Sequence, residues 1–226
     1  DQEAISLIDR NTACVVVEPV QAEAGVIFPE DDFLGRLRQR CMETGSLLIF
    51  DEVQTAFGRI GTMFATDRFK VVPDIIVLAK ALGGGMPLGA FISSKEIMSS
   101  LSSDPQLGHI TTFGGHPVCC AAGLASLEVI VEEDLVNECK RKSDLFKLSL
   151  NHQAINEIRG EGLLLGVKLP DNEYVKYAVS HAPDFGLILD YFLFCSDSFR
   201  IAPPLTITDE EILWSCAQLN KLLDLF

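Results

Sequence analysis

Residues 74–89 constrain this chain more than any other stretch: Ile75, Ile76, Val77 and Leu78 run through Ala79 into Lys80, and Gly83, Gly84, Gly85 and Pro87 follow at once. A short apolar run of this kind is a strand buried in a parallel sheet, and the glycines and proline make a tight turn after it. The segment therefore delivers an amine into a backbone-rich turn. A lysine is rarely buried without a partner, and one held in a desolvated pocket loses its charge and becomes a nucleophile able to form a Schiff base. A lysine at a strand end also commonly snorkels to solvent. What decides between the two is the company Lys80 keeps.

Upstream, Cys14 to Val20 is a β-branched run ended by Pro19, expected as a buried parallel strand. Asp31 and Asp32 offer an N-cap, and Phe33, Leu34, Leu37 and Cys41 recur at helical spacing until Gly45. Leu47 to Phe50 form a second buried strand that ends in Asp51 and Glu52. Strand, helix, strand, connection and strand make an open parallel sheet, which collects ligands at the carboxyl ends of its strands. Glu23, Asp51 and Lys80 all fall there. Leu88 to Ile92 reads as one more strand, and Thr111 to Pro117 precedes a helix of small residues from Cys119 to Val131. From Glu132 an amphipathic helix carries Leu135, Cys139, Phe146 and Leu150 on one face. Gly160–Val167, Leu187–Phe194 and Ser198–Ala202 then read as strands of a smaller α/β unit. Thr208 and Glu211 make a capping box for a last helix with a stripe of Ile212, Cys216, Leu219 and Leu223. Two domains are expected, 1–131 and 132–226.

The net charge of −14 argues against nucleic acid and anionic membrane as partners. The seven cysteines, an odd number scattered through apolar segments, read as reduced core residues of a cytoplasmic protein. No basic region followed by an apolar one opens the chain, and no apolar run reaches membrane-spanning length. No metal site is expected. The chain begins at Asp1 with a strand almost at once, and is expected to be part of a longer protein.

Leu48 to Glu52, taken alone, resembles a magnesium-holding strand of a nucleotidase, but the chain has no Gly-x-x-x-x-Gly-Lys-Ser/Thr loop to go with it. The other use of Asp51 is to face a cationic ring nitrogen. A carboxylate fixed opposite a pyridine nitrogen keeps it protonated, and a protonated ring draws electrons from a carbanion attached to its aldehyde. A Schiff-base lysine together with such an aspartate is the signature of pyridoxal phosphate.

Glu18–Gly25, Asp51–Arg59, Lys80–Gly85, Thr112–Pro117 and Arg200–Pro204 together resemble, in order, the motifs of class III aminotransferases of the ornithine and acetylornithine type. The resemblance covers nearly the whole chain. It implies the type I pyridoxal-phosphate transferase fold, an α/β fold of which the chain holds part of the mainly parallel large-domain sheet and a C-terminal α/β small domain. It also implies transamination of an ω-amino or diamino acid with 2-oxoglutarate. Lys80 is then the cofactor-binding lysine and proton-transfer base, Asp51 holds the pyridine nitrogen, Gln54 the ring hydroxyl, and Val53 packs on the ring. Thr112 reaches the cofactor phosphate of the neighbouring subunit in a homodimer with shared active sites. Glu23 and Arg200 form the pair that lets one site take both an amino donor and a dicarboxylate. Glu52, Arg59 and Glu161 read as solvated or packing charges. Ala56 stands where the family commonly has glycine, and His116 where it commonly has asparagine. The family's phosphate loop, ring-stacking aromatic and much of its substrate pocket lie upstream of these motifs, so the chain is expected to be a C-terminal portion, inactive by itself. Other class III chemistry (aminomutase, decarboxylase, racemase) or a non-catalytic dimerisation role are the alternatives.

Overall fold

A computed structural model of the protein describes residues 2–30, 32–106 and 108–225. The chain forms two compact units: Asp1–Pro19 with Pro29–Phe57 and Phe64–Glu132, and Val20–Phe28 with Gly58–Met63 and Glu133–Phe226.

The first unit runs α1 (Gln2–Ser6), β1 (Cys14–Val17), α2 (Phe33–Thr44), β2 (Leu47–Asp51), α3 (Ala65–Phe69), β3 (Ile75–Leu78), a 3-10 turn (Lys80–Gly83), β4 (Ala90–Ser93), α4 (Lys95–Ser99) and α5 (Pro117–Glu132). Its sheet has the order β1-β2-β3-β4. The first three strands are parallel, but β4 returns antiparallel to β3, with Leu78 opposite Ala90. A parallel partner needs a crossover of a dozen or more residues, and the turn through Gly83–Gly85 is too short for one.

Leu34, Leu37 and Cys41 of α2 bury against Leu48 and Phe50 of β2, with Val15 and Val17 beside them. Each large apolar side chain buried there contributes roughly 1.5–3 kcal/mol. The helix stops where the spacing predicts, because Gly45 takes a left-handed φ of 79° and its N–H closes on the Cys41 carbonyl. Its start differs from expectation. Asp32 sits in the left-handed region and makes no side-chain cap, and Asp31 lies outside the described residues. Asp74 ties the head of β3 into this core: its carboxylate accepts from Arg38 of α2 and, at 2.8 Å, from the Leu48 N–H.

The edge strands are less buried than their apolar runs imply. Val16 of β1 and Phe91 and Ile92 of β4 are exposed: α2 packs on the face that carries Val15, Val17, Leu48 and Phe50, which leaves Val16 on the opposite face, and β4 forms the far edge of the sheet. On α5, Val118, Leu124, Val129 and Val131 are likewise exposed. Of the seven thiols, all free, Cys41, Cys119, Cys139 and Cys216 are buried while Cys14 and Cys120 are not core residues but exposed.

The second unit contains α6 (Leu135–Ser149), β5 (Glu157–Glu161), β6 (Leu164–Lys168), α7 (Asn172–His181), β7 (Asp190–Tyr191), β8 (Ser198–Ile201) and α8 (Asp209–Leu223). Its sheet is antiparallel throughout, in the order β5-β6-β8-β7. Two of its strands differ from the sequence reading. Gly160–Val167 spans a hairpin, turning at Gly162 with φ 58°, and only Asp190–Tyr191 of Leu187–Phe194 enters the ladder. α6 buries Leu135, Cys139 and Phe146, and α8 carries the expected capping box, with Thr208 Oγ1 accepting from the Glu211 N–H at 3.2 Å and Glu211 Oε2 from the Thr208 N–H at 2.8 Å. Among the described residues no helix is long and apolar enough to cross a membrane.

Candidate active site

In the first unit the parallel strands β2 and β3 end at the same edge of the sheet. Asp51 is the last residue of β2 and pairs with Val77; Lys80 follows β3 by two residues. The half-buried Asp51 is oriented by its own turn, its Oδ1 accepting the Val53 N–H at 3.0 Å. Gln54 follows in the same turn, also half-buried.

Lys80 departs from expectation in two ways. It is exposed in the described chain, not desolvated. Its Cα lies beyond the last strand residue, where the sheet no longer flanks it, and no described element covers it. Its backbone is also strained: φ is 47°, a left-handed conformation that the three following glycines, not a lysine, were suited to adopt. Non-glycine residues held there cost of order 1–3 kcal/mol and cluster at functional sites. The turn is braced from the side. A Cβ on Gly84 would lie 2.4 Å from the Ala122 carbonyl oxygen of α5, and one on Gly123 equally close, 2.4 Å, to the Leu82 carbonyl oxygen. Glycines on both elements let the Lys80 turn and α5 meet backbone to backbone, which explains the small residues Ala122, Gly123 and Ser126 at the contact. Thr112 is exposed, in the segment leading to the N-terminus of α5.

Next to Asp51, Glu52 is fully buried. Its Oε2 accepts the Ala65 N–H at 2.6 Å and the Thr55 hydroxyl at 3.1 Å, and its Oε1 accepts the Thr66 N–H at 3.2 Å. It is neither solvated nor a plain packing charge. It stitches the turn after Asp51 to the start of α3, so it belongs to the frame that holds Asp51. Burial pushes its carboxyl above the usual range, and the two N–H groups and the hydroxyl only partly offset this. An acid directly following the strand-end Asp51 was the available signal, but its burial could not be read from order alone.

In the second unit Glu23 and Arg200, far apart in sequence, form an ion pair: Arg200 Nη1 donates to Glu23 Oε1 at 2.7 Å. Glu23 Oε2 also accepts the Leu193 N–H at 3.2 Å. A residue that the sequence reading did not single out joins them. Asp190, opposite Arg200 in the β7–β8 ladder, takes a short hydrogen bond from Nη2, and the Phe192 ring lies 5.6 Å from the guanidinium carbon. Burial alone would lower the basicity of Arg200, but the bonds to Asp190 and Glu23 outweigh it and leave the pKa raised. The one acid in the apolar run Leu187–Phe194 was the signal for Asp190. Arg59 also proves structural in a specific way, its Nη1 donating to the carbonyls of Leu163 and Pro203 at 3.0 and 2.6 Å. That bond anchors the segment that follows Arg200. A cavity of about 640 Å³ in this unit touches Asp190 and Arg200 but is otherwise lined largely by apolar residues such as Phe146, Leu187, Ile201 and Leu219.

Residues 2–223 match the family model for class-III aminotransferases. The chain is 43% identical over 219 residues to acetylornithine aminotransferase of Methanosarcina mazei, covering 94% of this chain and 52% of that protein. Among solved structures, acetylornithine aminotransferase of Elizabethkingia anophelis superposes with a TM-score of 0.87 at 33% identity, over 100% of this chain and 57% of that one. Ornithine aminotransferase of Toxoplasma gondii gives 0.87 at 33%, over 99% and 53%. The chain thus spans about half the length of the curated relatives it matches. Its α/β architecture, with one mostly parallel sheet and one antiparallel sheet, is part of the type I fold of these enzymes. With the family model matched across almost every residue, this chain belongs to the class III aminotransferases.

Proposed function

We propose that the chain forms part of a pyridoxal-phosphate-dependent aminotransferase that moves an amino group from an ornithine- or acetylornithine-like donor to 2-oxoglutarate. The observation that carries this reading is the placement of Asp51 and Lys80 at the ends of neighbouring parallel strands, one held by its own turn and the other strained. The residues present suit the cofactor: an acid for a ring nitrogen, an amine for an aldehyde, and a glycine turn that admits close backbone approach.

When bound, pyridoxal phosphate supplies a protonated ring that accepts the electron pair released when a substrate C–H bond breaks. Asp51 holds the proton on the ring nitrogen. Gln54 hydrogen-bonds the ring hydroxyl, and Val53 packs against the ring face. The amine of Lys80 would hold the cofactor at its aldehyde group and would serve as the base that moves the proton during the reaction. Thr112 serves the cofactor phosphate of a partner subunit, so the working form is a homodimer; the exposed apolar residues Val118, Leu124 and Val131 of α5 support such a contact. Arg200 grips the carboxylate that a dicarboxylate substrate such as glutamate carries beside its reacting carbon, and Glu23 neutralises Arg200 when an amino donor without a carboxylate there occupies the site.

Assaying the full-length protein with ornithine, N-acetylornithine and other ω-amines against 2-oxoglutarate tests this. Glutamate is the expected product, with an absorbance band of the bound cofactor that borohydride traps. Cofactor bound at Lys80 without amino transfer to any 2-oxo acid would overturn transamination in favour of other class III chemistry.

A further inference from the structure

Resting on the reading of Glu23 and Arg200 as the pair that sorts substrates, we propose that Asp190 is a third, specificity-determining member of that group, which weakens the grip of Arg200 on a dicarboxylate. The geometry carries it. Asp190 and Arg200 are direct partners in the antiparallel β7–β8 ladder, so their side chains leave the same face of the sheet side by side. The two carboxylates engage different nitrogens of one guanidinium, Glu23 at Nη1 and Asp190 at Nη2. Their surroundings differ. The side chains of Arg200 and Glu23 are 16% and 21% exposed, whereas that of Asp190 is 66% exposed.

That asymmetry divides the work. Glu23 is held by Arg200 and by the Leu193 N–H, so moving it aside breaks both of these bonds and takes its carboxylate away from Nη1. Asp190 stays in place, because the strand pairing fixes its backbone, and it goes on holding Nη2. An incoming carboxylate therefore meets a guanidinium that is still half neutralised and offers one edge, not the full fork. Affinity for glutamate and 2-oxoglutarate is lowered, and an amino donor with no carboxylate at that end meets less bare positive charge.

The test measures binding of glutarate, an inert dicarboxylate, to the full-length cofactor-loaded protein by calorimetry, and the two half-reactions in single turnover. Asp190→Asn keeps an acceptor for Nη2 and removes the charge. Because Asp190 is largely exposed, its effect is that of a well-hydrated ion pair: about threefold to fivefold tighter glutarate binding, with the half-reaction ratio shifted toward glutamate. Asp190→Ala is expected to shift both the same way. Arg200→Met isolates the underlying reading and should weaken glutarate at least tenfold. If Arg200→Met does so while both Asp190 variants bind glutarate like wild type, or more weakly, Asp190 does not tune the grip and the inference falls with the Glu23–Arg200 reading intact. If Arg200→Met leaves glutarate binding unchanged, both fall together.

Discussion

Removing the buried carboxylate of Glu52 should destabilise the protein more than its place at the strand end beside Asp51 would suggest. In Glu52→Ala the N–H groups of Ala65 and Thr66 and the hydroxyl of Thr55 lose their acceptor in a site from which the wild-type side chain is wholly shielded. At about 1–3 kcal/mol for each buried donor left unsatisfied, with some relief from water entering the space, the loss comes to about 3–5 kcal/mol. Glu52→Gln separates hydrogen bonding from charge. With its oxygen at the Oε2 position it keeps the bonds from Ala65 and Thr55, but its amide then faces the Thr66 N–H, so one bond is lost, at about 1–2 kcal/mol. The pH dependence differs as well. Burial raises the carboxyl pKa of Glu52 in the folded state, so the folded protein binds the extra proton more tightly than the unfolded chain. The stability this gives is complete below the ordinary glutamate value of 4.5 and is lost as pH rises through the raised value. Wild type should therefore lose stability relative to Glu52→Gln as pH climbs above the ordinary carboxyl range. Urea unfolding of the full-length apoprotein at several pH values measures all three quantities. A loss below about 1 kcal/mol in Glu52→Ala would refute the reasoning, because no buried donor could then depend on this carboxylate.

Lys80→Ala should abolish turnover while leaving cofactor absorbance that borohydride no longer fixes to the protein. Asp51→Asn should slow the chemical step by about a hundredfold to a thousandfold or more, the scale of losing one placed charge partner; a rate within a few-fold of wild type would make Asp51 a structural strand-end acid. Gly84→Ala adds a Cβ 2.4 Å from the Ala122 carbonyl at φ 55°, so overpacking and a left-handed alanine together should cost about 2–4 kcal/mol, read as a lowered urea midpoint. The 226-residue chain alone, with Lys80 exposed, should bind pyridoxal phosphate weakly and show no transamination in a coupled glutamate assay.

Local order was legible wherever one period or one cap decides the outcome. The spacing of Leu34, Leu37 and Cys41 and the stop at Gly45 define α2, and Thr208 with Glu211 defines the start of α8, because these interactions lie within four residues of one another. The five motifs identified the family for a related reason: each is a contiguous segment whose chemistry needs its residues adjacent. Pairings across the chain were not legible from residue order. Burial, strand direction and the partner of a charge depend on which segments pack together. Only the tertiary structure turned β4 antiparallel, folded Gly160–Val167 into a hairpin, left Val16 and Lys80 exposed and buried Glu52 against the start of α3. The Arg200 group shows the division most plainly. The family resemblance in the sequence pointed to Glu23 and Arg200 as a pair, but the β7–β8 register, a tertiary contact, is what adds Asp190 to the same guanidinium.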